Sequence, residues 1–216
     1  AEAEIEYKDV TSDTAYIKFP VVDCHGLFEA KNTSFVIWTT TPWTLPGNTG
    51  ITIGGDFDYS LVKITRPENM KSFVKEPTEK LIMATELVDK VMKIAGIEEY
   101  RTVKTFKGKE LEGTMCHHPF LERLSKVVIG SETTVNVDLV EGTGCVHTAP
   151  SYGKEDYLQG LKDDLDIIVT VNEKGIQGEG AGQFKGQFYA KSNKTILAWL
   201  DENGYLLKSV KITHSY

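Results

Sequence analysis

The sequence predicts an α+β fold in which a β-barrel-like domain carries a few peripheral helices. Short runs rich in β-branched residues dominate the chain, and Gly, Pro, Asn or Asp lies near most of their ends. Few segments have helical periodicity, and many strands with scattered helices favour a barrel over a doubly wound sheet. With 216 residues, 40% of them hydrophobic, the whole chain (1–216) is expected to form a single domain with a substantial core.

The predicted strands come from segments in which Val, Ile, Thr and Tyr recur. These residue types fit the pleated, half-buried surface of a sheet. In chain order the predicted strands are residues 16–22, 34–39, 50–53, 59–64, 126–129, 135–140, 144–147 and 167–171.

Three helices are predicted from apolar residues that recur on one helical face. Thr85 and Ser151 are candidate caps for the starts of the first two, and Gly96 and Gly204 are expected to end the first and third. The predicted helices and their apolar faces are 85–95 with Leu87, Val88, Val91, Met92 and Ala95, 154–162 with Tyr157, Leu158 and Leu161, and 193–203 with Ile196, Leu197 and Leu200.

Charge and cysteine content narrow the class of protein. A net charge of −7 argues against a protein that binds nucleic acid non-specifically along its length. A local cleft can still bind one end of a nucleic acid. The sequence contains no transmembrane span and no secretory signal, so no membrane partner is expected. Three cysteines without C-x-x-C spacing suit a reducing, cytoplasmic setting better than a disulfide framework.

Several familiar chemistries lack their sequence patterns. Potential zinc ligands occur in three short groups, namely Cys24-His25, Cys116-His117-His118 and Cys145-x-His147. None of the groups has the paired spacing of a structural zinc site, and H-E-x-x-H is missing, so no metal or cofactor is predicted. The stretch GEGAGQFKG (178–186) lacks the phosphate-loop pattern and is interpreted as a flexible surface connector. A serine hydrolase is disfavoured because the sequence contains no G-x-S-x-G.

The stretch WTTTPWTLPGN combines consecutive threonines with two prolines. Strand alternation sends Thr39 and Thr41 to one face and Thr40 to the other, and Pro42 then ends the strand because it has no N–H to donate. We interpret the hydroxyls and the freed backbone groups as the mouth of a pocket, with Trp43 as an apolar wall and a tight Pro-Gly-Asn turn fixing it. The alternative is a strand that ends in a Pro-rich turn with Trp43 in the core.

The stretch GTGCVHTAPSYGKEDY offers a second group of functional candidates. Gly142 and Gly144 permit positive φ or a close approach of the backbone. A short apolar run places His147 at a strand end, and the helix beginning near Gly153 carries Asp156 in its first turn. The helix N-terminus favours the ionised carboxylate, which is a suitable partner for a ligand ammonium group. Taken singly, a core histidine and a solvated helix-start acid remain alternatives.

Together these two stretches resemble the editing domain of isoleucyl-tRNA synthetase, the connective peptide 1 (CP1) insertion of a class I aminoacyl-tRNA synthetase. The threonine-rich segment and the pattern G-T-G-x-V-H-x-A-P-x-x-G-x-x-D-Y are both complete. The opening EIEYKDVTSDTAYIKFPVVD and the final KITHSY are similar to the edges of that insertion. His147 within V-H-T-A-P favours the isoleucine enzyme over the valine and leucine enzymes. No H-I-G-H or K-M-S-K-S occurs, so the chain resembles an excised editing domain without the synthetic ATP site.

The resemblance implies an aminoacyl-tRNA deacylase that removes valine from tRNA(Ile). Asp156 would bind the α-ammonium group, and His147 would form a side-chain pocket too small for isoleucine. It also implies catalytic positions for Thr39, Thr40 and Thr41, which would hold the substrate or the attacking water. Substrate-binding or loop-supporting positions are implied for Trp43, Thr44 and Asn48.

The implied partners are the valine-charged 3′ end of tRNA(Ile) and the remainder of the parent synthetase. The fragment is expected to be monomeric and cytoplasmic, with no cofactor, and valyl-adenylate is a further candidate substrate. Three alternatives stay open. They are a valyl-type editing domain that clears threonyl-tRNA, a non-catalytic module that binds aminoacyl-adenosine or the tRNA end, and a structural spacer.

Overall fold

The computed structural model describes residues 9–215; residues 1–8 and Tyr216, which belong to the predicted domain edges, lie outside the described residues. The strands are β1 (Asp9–Asp23), β2 (Thr33–Thr39), β3 (Gly50–Ile53), β4 (Asp58–Thr65), β5 (Thr78–Ala84), β6 (Glu99–Lys107), β7 (Met115–His117), β8 (Leu124–Ile129), β9 (Cys145–Thr148) and β10 (Leu206–Ser215). The α-helices are α1 (Val88–Ala95), α2 (Gly108–Leu111), α3 (Lys154–Asp163) and α4 (Tyr189–Glu202). Short 3-10 helices cover Pro42–Gly47, Thr85–Leu87 and Glu179–Phe184.

Six strands close into a barrel in the order β1-β7-β8-β3-β9-β2, with β2 returning to β1. The long strand β1 closes the barrel because it pairs with β2 and, beyond a register shift, with β7. Strand β10 pairs with the first part of β1, while β5, β4 and β6 extend the sheet from β2. Strands β2 and β9 are parallel, so their C-terminal ends lie at the same rim of the barrel. The predicted α+β barrel is confirmed.

Large aliphatic and aromatic side chains fill the core. Ile17 and Phe19 of β1, Phe35 and Ile37 of β2, and Ile51 of β3 are completely buried. Their spacing by two residues within β1 and β2 is that of side chains on one face of a strand. The residues that alternate along β1 and β2 therefore place one set of side chains in the barrel core.

A buried ion-pair network joins β1 to β5 and to the loop between β4 and β5. The Lys18 ammonium lies 2.8 Å from a Glu79 oxygen, and the other Glu79 oxygen lies 2.6 Å from Arg66. The Ser72 hydroxyl accepts from Lys18 at 3.0 Å and donates to Glu79 at 2.7 Å. Each buried charge thus has a charged or hydrogen-bonding partner, as burial requires.

Most predicted strands are present. The segments 16–22, 34–39, 50–53, 59–64, 126–129 and 144–147 fall in β1, β2, β3, β4, β8 and β9. Four strands, β5, β6, β7 and β10, were not predicted.

The predicted strands 135–140 and 167–171 are wrong. The N–H of Val135 donates to the Gln159 side chain at 3.3 Å, and the segment runs as a loop. In the second segment the N–H groups of Thr170 and Val171 both donate to the Tyr152 hydroxyl, and only an isolated bridge forms, between Val171 and Gln177. Their β-branched composition is strand-like, but side chains rather than a neighbouring strand satisfy these backbone groups.

The helices α1 and α4 confirm the first and third predicted helices. Gly96 ends α1 at φ +71°, and Gly204 follows α4 at φ +82°, as expected. Thr85 does not cap α1, because a 3-10 turn precedes that helix and the Thr85 hydroxyl lies 2.8 Å from that of Ser60. Helix α4 begins at Tyr189, four residues before the predicted start.

Helix α3 forms as predicted, but its apolar face does not face the barrel. Tyr157, Leu158 and Leu161 are 45%, 37% and 59% exposed, whereas Gln159 and Gly160 are buried. The amide of Gln159 donates to the Ile129 carbonyl at 2.9 Å, and a Cβ at Gly160 would lie 2.9 Å from the Pro150 ring. Ser151 does not cap the helix and instead donates to the Ile168 carbonyl. A glycine contact and an amide hydrogen bond therefore determine which face of α3 is buried.

The segment 178–186 is more ordered than the predicted surface connector. It contains the 3-10 helix Glu179–Phe184, and Ala181 and Phe184 are buried. The Phe184 ring packs edge-on against Phe120, with centroids 5.1 Å apart. Between residues 9 and 215, no helix is both long and apolar enough to cross a bilayer.

Candidate functional site

A cleft of about 500 Å³ opens beside the C-terminal ends of β2 and β9. Its walls are the threonine segment after β2, the loop 136–144 before β9, and the first turn of α3. Trp43 and Asn48 do not line it. The predicted site residues that do line it are Thr39, Thr40, Thr41, Thr44, His147 and Asp156.

The threonine segment leaves the sheet at the point where the sequence predicts. Strand β2 ends at Thr39, and Pro42 begins a 3-10 helix that continues through Gly47, in place of the predicted tight turn. The Thr39 hydroxyl is buried and accepts the N–H of Thr41 at 3.1 Å. Thr40 and Thr41 are exposed at the mouth of the cleft, where their hydroxyls can contact a ligand.

Trp43 packs behind the threonine segment. Its ring meets Tyr152 edge-on with centroids 5.2 Å apart and Tyr189 of α4 at 5.0 Å. Its backbone N–H donates to Asn193 at 2.8 Å, and its carbonyl accepts from Gln177 at 2.9 Å. Trp43 therefore fastens the 3-10 helix to α4, and it does not form the apolar wall that the sequence predicts.

The two glycines before β9 have the conformations that their sequence context predicts. Gly142 and Gly144 have φ values of +78° and +75°. A Cβ at Gly142 would lie 3.0 Å from the Trp38 ring, and a Cβ at Gly144 would lie 2.6 Å from that of Ala84. The loop thus approaches β2 and β5 more closely than a side chain allows.

His147 is buried in the cleft wall with both ring nitrogens engaged. Its Nε2 lies 2.8 Å from the Thr44 hydroxyl, and its Nδ1 lies 2.7 Å from the Asn48 amide nitrogen. Burial lowers the pKa of His147 to about 4, so the ring is neutral at neutral pH. Because neither nitrogen is free, His147 forms a wall of the cleft and has no free lone pair for a general base.

Asp156 presents a carboxylate to the cleft from the first turn of α3. Its Oδ2 accepts the N–H of Ala149 at 2.9 Å, which ties the helix start to the end of β9. Burial raises the pKa of this carboxyl, although the Ala149 hydrogen bond opposes the shift. A backbone contact with the N–H of Asp156 itself also opposes the shift. Desolvation thus opposes the stabilisation of the ionised carboxylate that the sequence predicts from the helix N-terminus.

The charge of the cleft favours a cationic ligand group. Asp138, Glu141 and Asp156 line it, and its lining contains no Lys or Arg. Acidic groups that converge on a concave site attract an ammonium group.

The described residues contain no group of three or more His, Cys, Asp or Glu side chains placed to hold a metal ion. Cys24, Cys116 and Cys145 are buried and unpaired by disulfides, and burial raises the pKa values of the Cys116 and Cys145 thiols. These thiols therefore stay protonated at neutral pH and are poor ligands or nucleophiles.

Several residues that line the cleft were not predicted from the sequence. Trp38 is the first letter of the threonine stretch, and Tyr152 lies inside the second stretch, so both could have been found from the motifs. The acidic loop before Gly142 has no recognisable pattern. The unpredicted lining residues include Trp38, Asn136, Asp138, Val140, Glu141 and Tyr152.

Sequence comparison matches the whole chain to a segment of isoleucine–tRNA ligases. The chain is 47% identical to the Petrotoga mobilis ligase over 216 residues and 45% identical to the Caldicellulosiruptor bescii ligase over 221 residues. The Moorella thermoacetica ligase is 42% identical over 216 residues. All of this chain is covered in each case, but only 21–22% of the ligase, so the chain spans about a fifth of the length of these curated relatives. No protein-family model matches the chain.

Structure comparison matches the fold to editing domains of leucyl-tRNA synthetases. The editing domain of the P. knowlesi cytosolic leucyl-tRNA synthetase has a TM-score of 0.65 at 11% identity, and the match covers 95% of this chain and 97% of that chain. The GlLeuRS-CP1 crystal structure has a TM-score of 0.64 at 12% identity, with 89% and 97% covered. At this identity the likeness concerns the fold. The chain is therefore related by sequence to a segment of isoleucine–tRNA ligases and by fold to the editing domains of leucyl-tRNA synthetases.

Proposed function

We propose that the cleft hydrolyses the ester between valine and the 3′-terminal adenosine of tRNA(Ile). One observation carries this proposal: Asp156, His147 and the threonine hydroxyls meet in a single acidic cleft. An aminoacyl ester presents an ammonium group, a small hydrocarbon side chain and a reactive carbonyl within a few ångströms of one another. The cleft offers one complementary feature for each of these groups.

The physical need for such a site follows from the limits of hydrophobic recognition. One missing methylene changes binding by only ~1–3 kcal/mol, and isoleucine ligases are the standard example of this limit. A second site can correct the resulting errors if it admits valine and excludes isoleucine. In this proposal His147 sets that size limit, because it is a buried wall whose ring is held at both nitrogens.

Asp156 binds the α-ammonium group through its Oδ1 atom, as a charge-assisted hydrogen bond. Thr39, Thr40 and Thr41 position the ester and the attacking water. Thr44 and Asn48 hydrogen-bond to the His147 ring and hold it in place, and Trp43 supports the 3-10 helix. No strong base is needed, because the ester is already activated and correct positioning supplies much of the rate.

The proposed partners follow from the same reaction. They are the valine-charged 3′ end of tRNA(Ile) and the remainder of a parent synthetase, with the fragment itself monomeric and the setting cytoplasmic. Valyl-adenylate shares the ammonium and side-chain groups and is a second proposed substrate. The synthetic ATP site belongs to the parent enzyme outside this chain.

The test is to offer valyl-, threonyl- and isoleucyl-tRNA(Ile) to the chain and to follow release of the amino acid. We expect the valyl ester to disappear and the isoleucyl ester to persist. His147→Ala is expected to release isoleucine as well, since it removes the proposed size limit. Preferential loss of the threonyl ester would identify a valyl-type domain. Binding of a non-hydrolysable valyl-adenosine analogue without turnover would identify a non-catalytic module.

A further inference from the structure

The His147 ring lies within a chain of hydrogen bonds that ends in a backbone carbonyl on each side. On one side the Thr44 hydroxyl donates to the Thr41 carbonyl at 2.9 Å, which leaves the Thr44 oxygen to accept from His147 Nε2. On the other side the Asn48 amide donates to the Gly50 carbonyl at 3.0 Å and to His147 Nδ1 at 2.7 Å. Carbonyl oxygens only accept hydrogen bonds, so the two ends fix every proton between them.

One protonation state of His147 satisfies this chain. The neutral ring with its proton on Nε2 donates to Thr44 and accepts from Asn48. A proton on Nδ1 would instead face the amide hydrogens of Asn48, and an imidazolium would do the same. The amide of Asn48 therefore sets both the tautomer and the plane of the His147 ring.

Ser125, on the strand that pairs with β3, holds that amide in place. Its side chain is completely buried on β8, and its hydroxyl donates to the Asn48 side-chain oxygen. Rotation of the amide by a half turn would place its oxygen against two acceptors, the Gly50 carbonyl and His147 Nδ1. Arg123 fixes the backbone at the same point, because it donates to the carbonyls of Pro46 at 2.5 Å and Asn48 at 3.0 Å. Neither Ser125 nor Arg123 lines the cleft.

We propose that Ser125 is a positioning residue for substrate selection, acting through Asn48 to hold the His147 ring at the wall of the side-chain pocket. If the His147 ring can tilt, the pocket no longer discriminates between valine and isoleucine, whose side chains differ by one methylene. This inference rests on the proposed editing function, and it assigns specificity to a residue that touches no substrate.

The principal test compares Ser125→Ala with a matched control, Ser60→Ala. Ser60 is also completely buried on a strand, and its hydroxyl lies 2.8 Å from that of Thr85, away from the cleft. We expect Ser125→Ala to raise the ratio of isoleucyl to valyl ester hydrolysis about fivefold or more, the effect of losing one buried hydrogen bond. Ser125→Thr, which keeps the hydroxyl, should restore the ratio, and Ser60→Ala should leave it unchanged. An unchanged ratio in Ser125→Ala, or an equal rise in Ser60→Ala, overturns the proposal.

A second measurement separates this inference from the editing function itself. The ¹⁵N shifts of the His147 ring report its tautomer without any substrate. We expect a single neutral form with the proton on Nε2 in the unaltered chain and a mixture of tautomers in Ser125→Ala. If the unaltered chain hydrolyses no ester, the proposed editing function is wrong. Whatever the hydrolysis result, identical His147 ring signals in the unaltered chain and in Ser125→Ala overturn the positioning role. Ser125→Cys, with a weak donor of similar size, replaces the alanine variant if that variant does not fold.

Discussion

Replacing Asp156 with Asn isolates the charge that is proposed to hold the amino acid. The Asn side chain keeps an oxygen to accept the Ala149 N–H, which Asp156 accepts at 2.9 Å, so the junction between β9 and α3 is preserved. The loss is confined to the charge at Oδ1. A hydrogen bond to a charged group contributes ~1.5–3 kcal/mol. At ~1.4 kcal/mol per factor of ten, kcat/KM for the valyl ester should fall about 10- to 100-fold.

The assay compares valyl-tRNA(Ile) with N-acetylvalyl-tRNA(Ile), which lacks the ammonium group. The unaltered chain should strongly prefer the free amine, and Asp156→Asn should lose that preference. The matched control is Glu155→Gln, which removes an exposed acid from the same first turn of α3. Its activity should stay within about fivefold, since helix-terminus effects alone amount to ~0.3–1 kcal/mol. If Asp156→Asn still prefers the free amine, the assignment of the ammonium site is refuted.

Two further predictions concern stability. Glu79→Gln should lower the free energy of unfolding by about 3 kcal/mol or more, because it leaves Lys18 buried beside a neutral group. The control Glu29→Gln removes a mostly exposed partner and should cost less than ~1 kcal/mol, so equal urea midpoints for the two variants would contradict the first prediction. Burial lowers the pKa of His147 to about 4 and that of His118 to about 3, from an ordinary value of 6.5. As pH falls below ~6.5 the unfolded chain therefore binds protons that the folded chain does not, and the free energy of unfolding should drop by ~1.4 kcal/mol per pH unit for each histidine. Urea titrations at pH values between ~7 and ~5 test this, and a flat or rising profile would contradict it.

The sequence predicts five of the six barrel strands, and the one it misses, β7, has only three residues. Residues 50–53 match β3 at both ends, and residues 34–39 and 144–147 match β2 and β9 to within one residue. The unpredicted strand β6 is the edge of the extended sheet, and nearly all of its side chains are exposed. With no buried face it has no alternating pattern to detect, and its charged residues protect the edge from further pairing.

The errors in the prediction arise where contacts distant in sequence determine local structure. The apolar stripe of α3 predicts a buried face, but the Gln159 amide hydrogen-bonds to Ile129, 30 residues earlier, and that stripe lies at the exterior. Likewise, nothing in the threonine stretch indicates that Ser125, 77 residues after Asn48, holds its amide. The threonine motif contains Asn48, which contacts His147, whereas Ser125, which holds Asn48, is found only in the folded chain.

The local order of the chain explains why the cleft could nevertheless be predicted from two motifs. His147 and Asp156 belong to one continuous unit, in which the end of β9, a short turn and the first turn of α3 are joined by the hydrogen bond from Ala149 to Asp156. The threonine segment meets this unit through the parallel pairing of Trp38 with Val146. A shift of that pairing by one residue would turn the alternating side chains of β2 to the opposite face. The barrel therefore contributes chiefly a fixed register between two segments, each of which carries its functional groups in its own sequence.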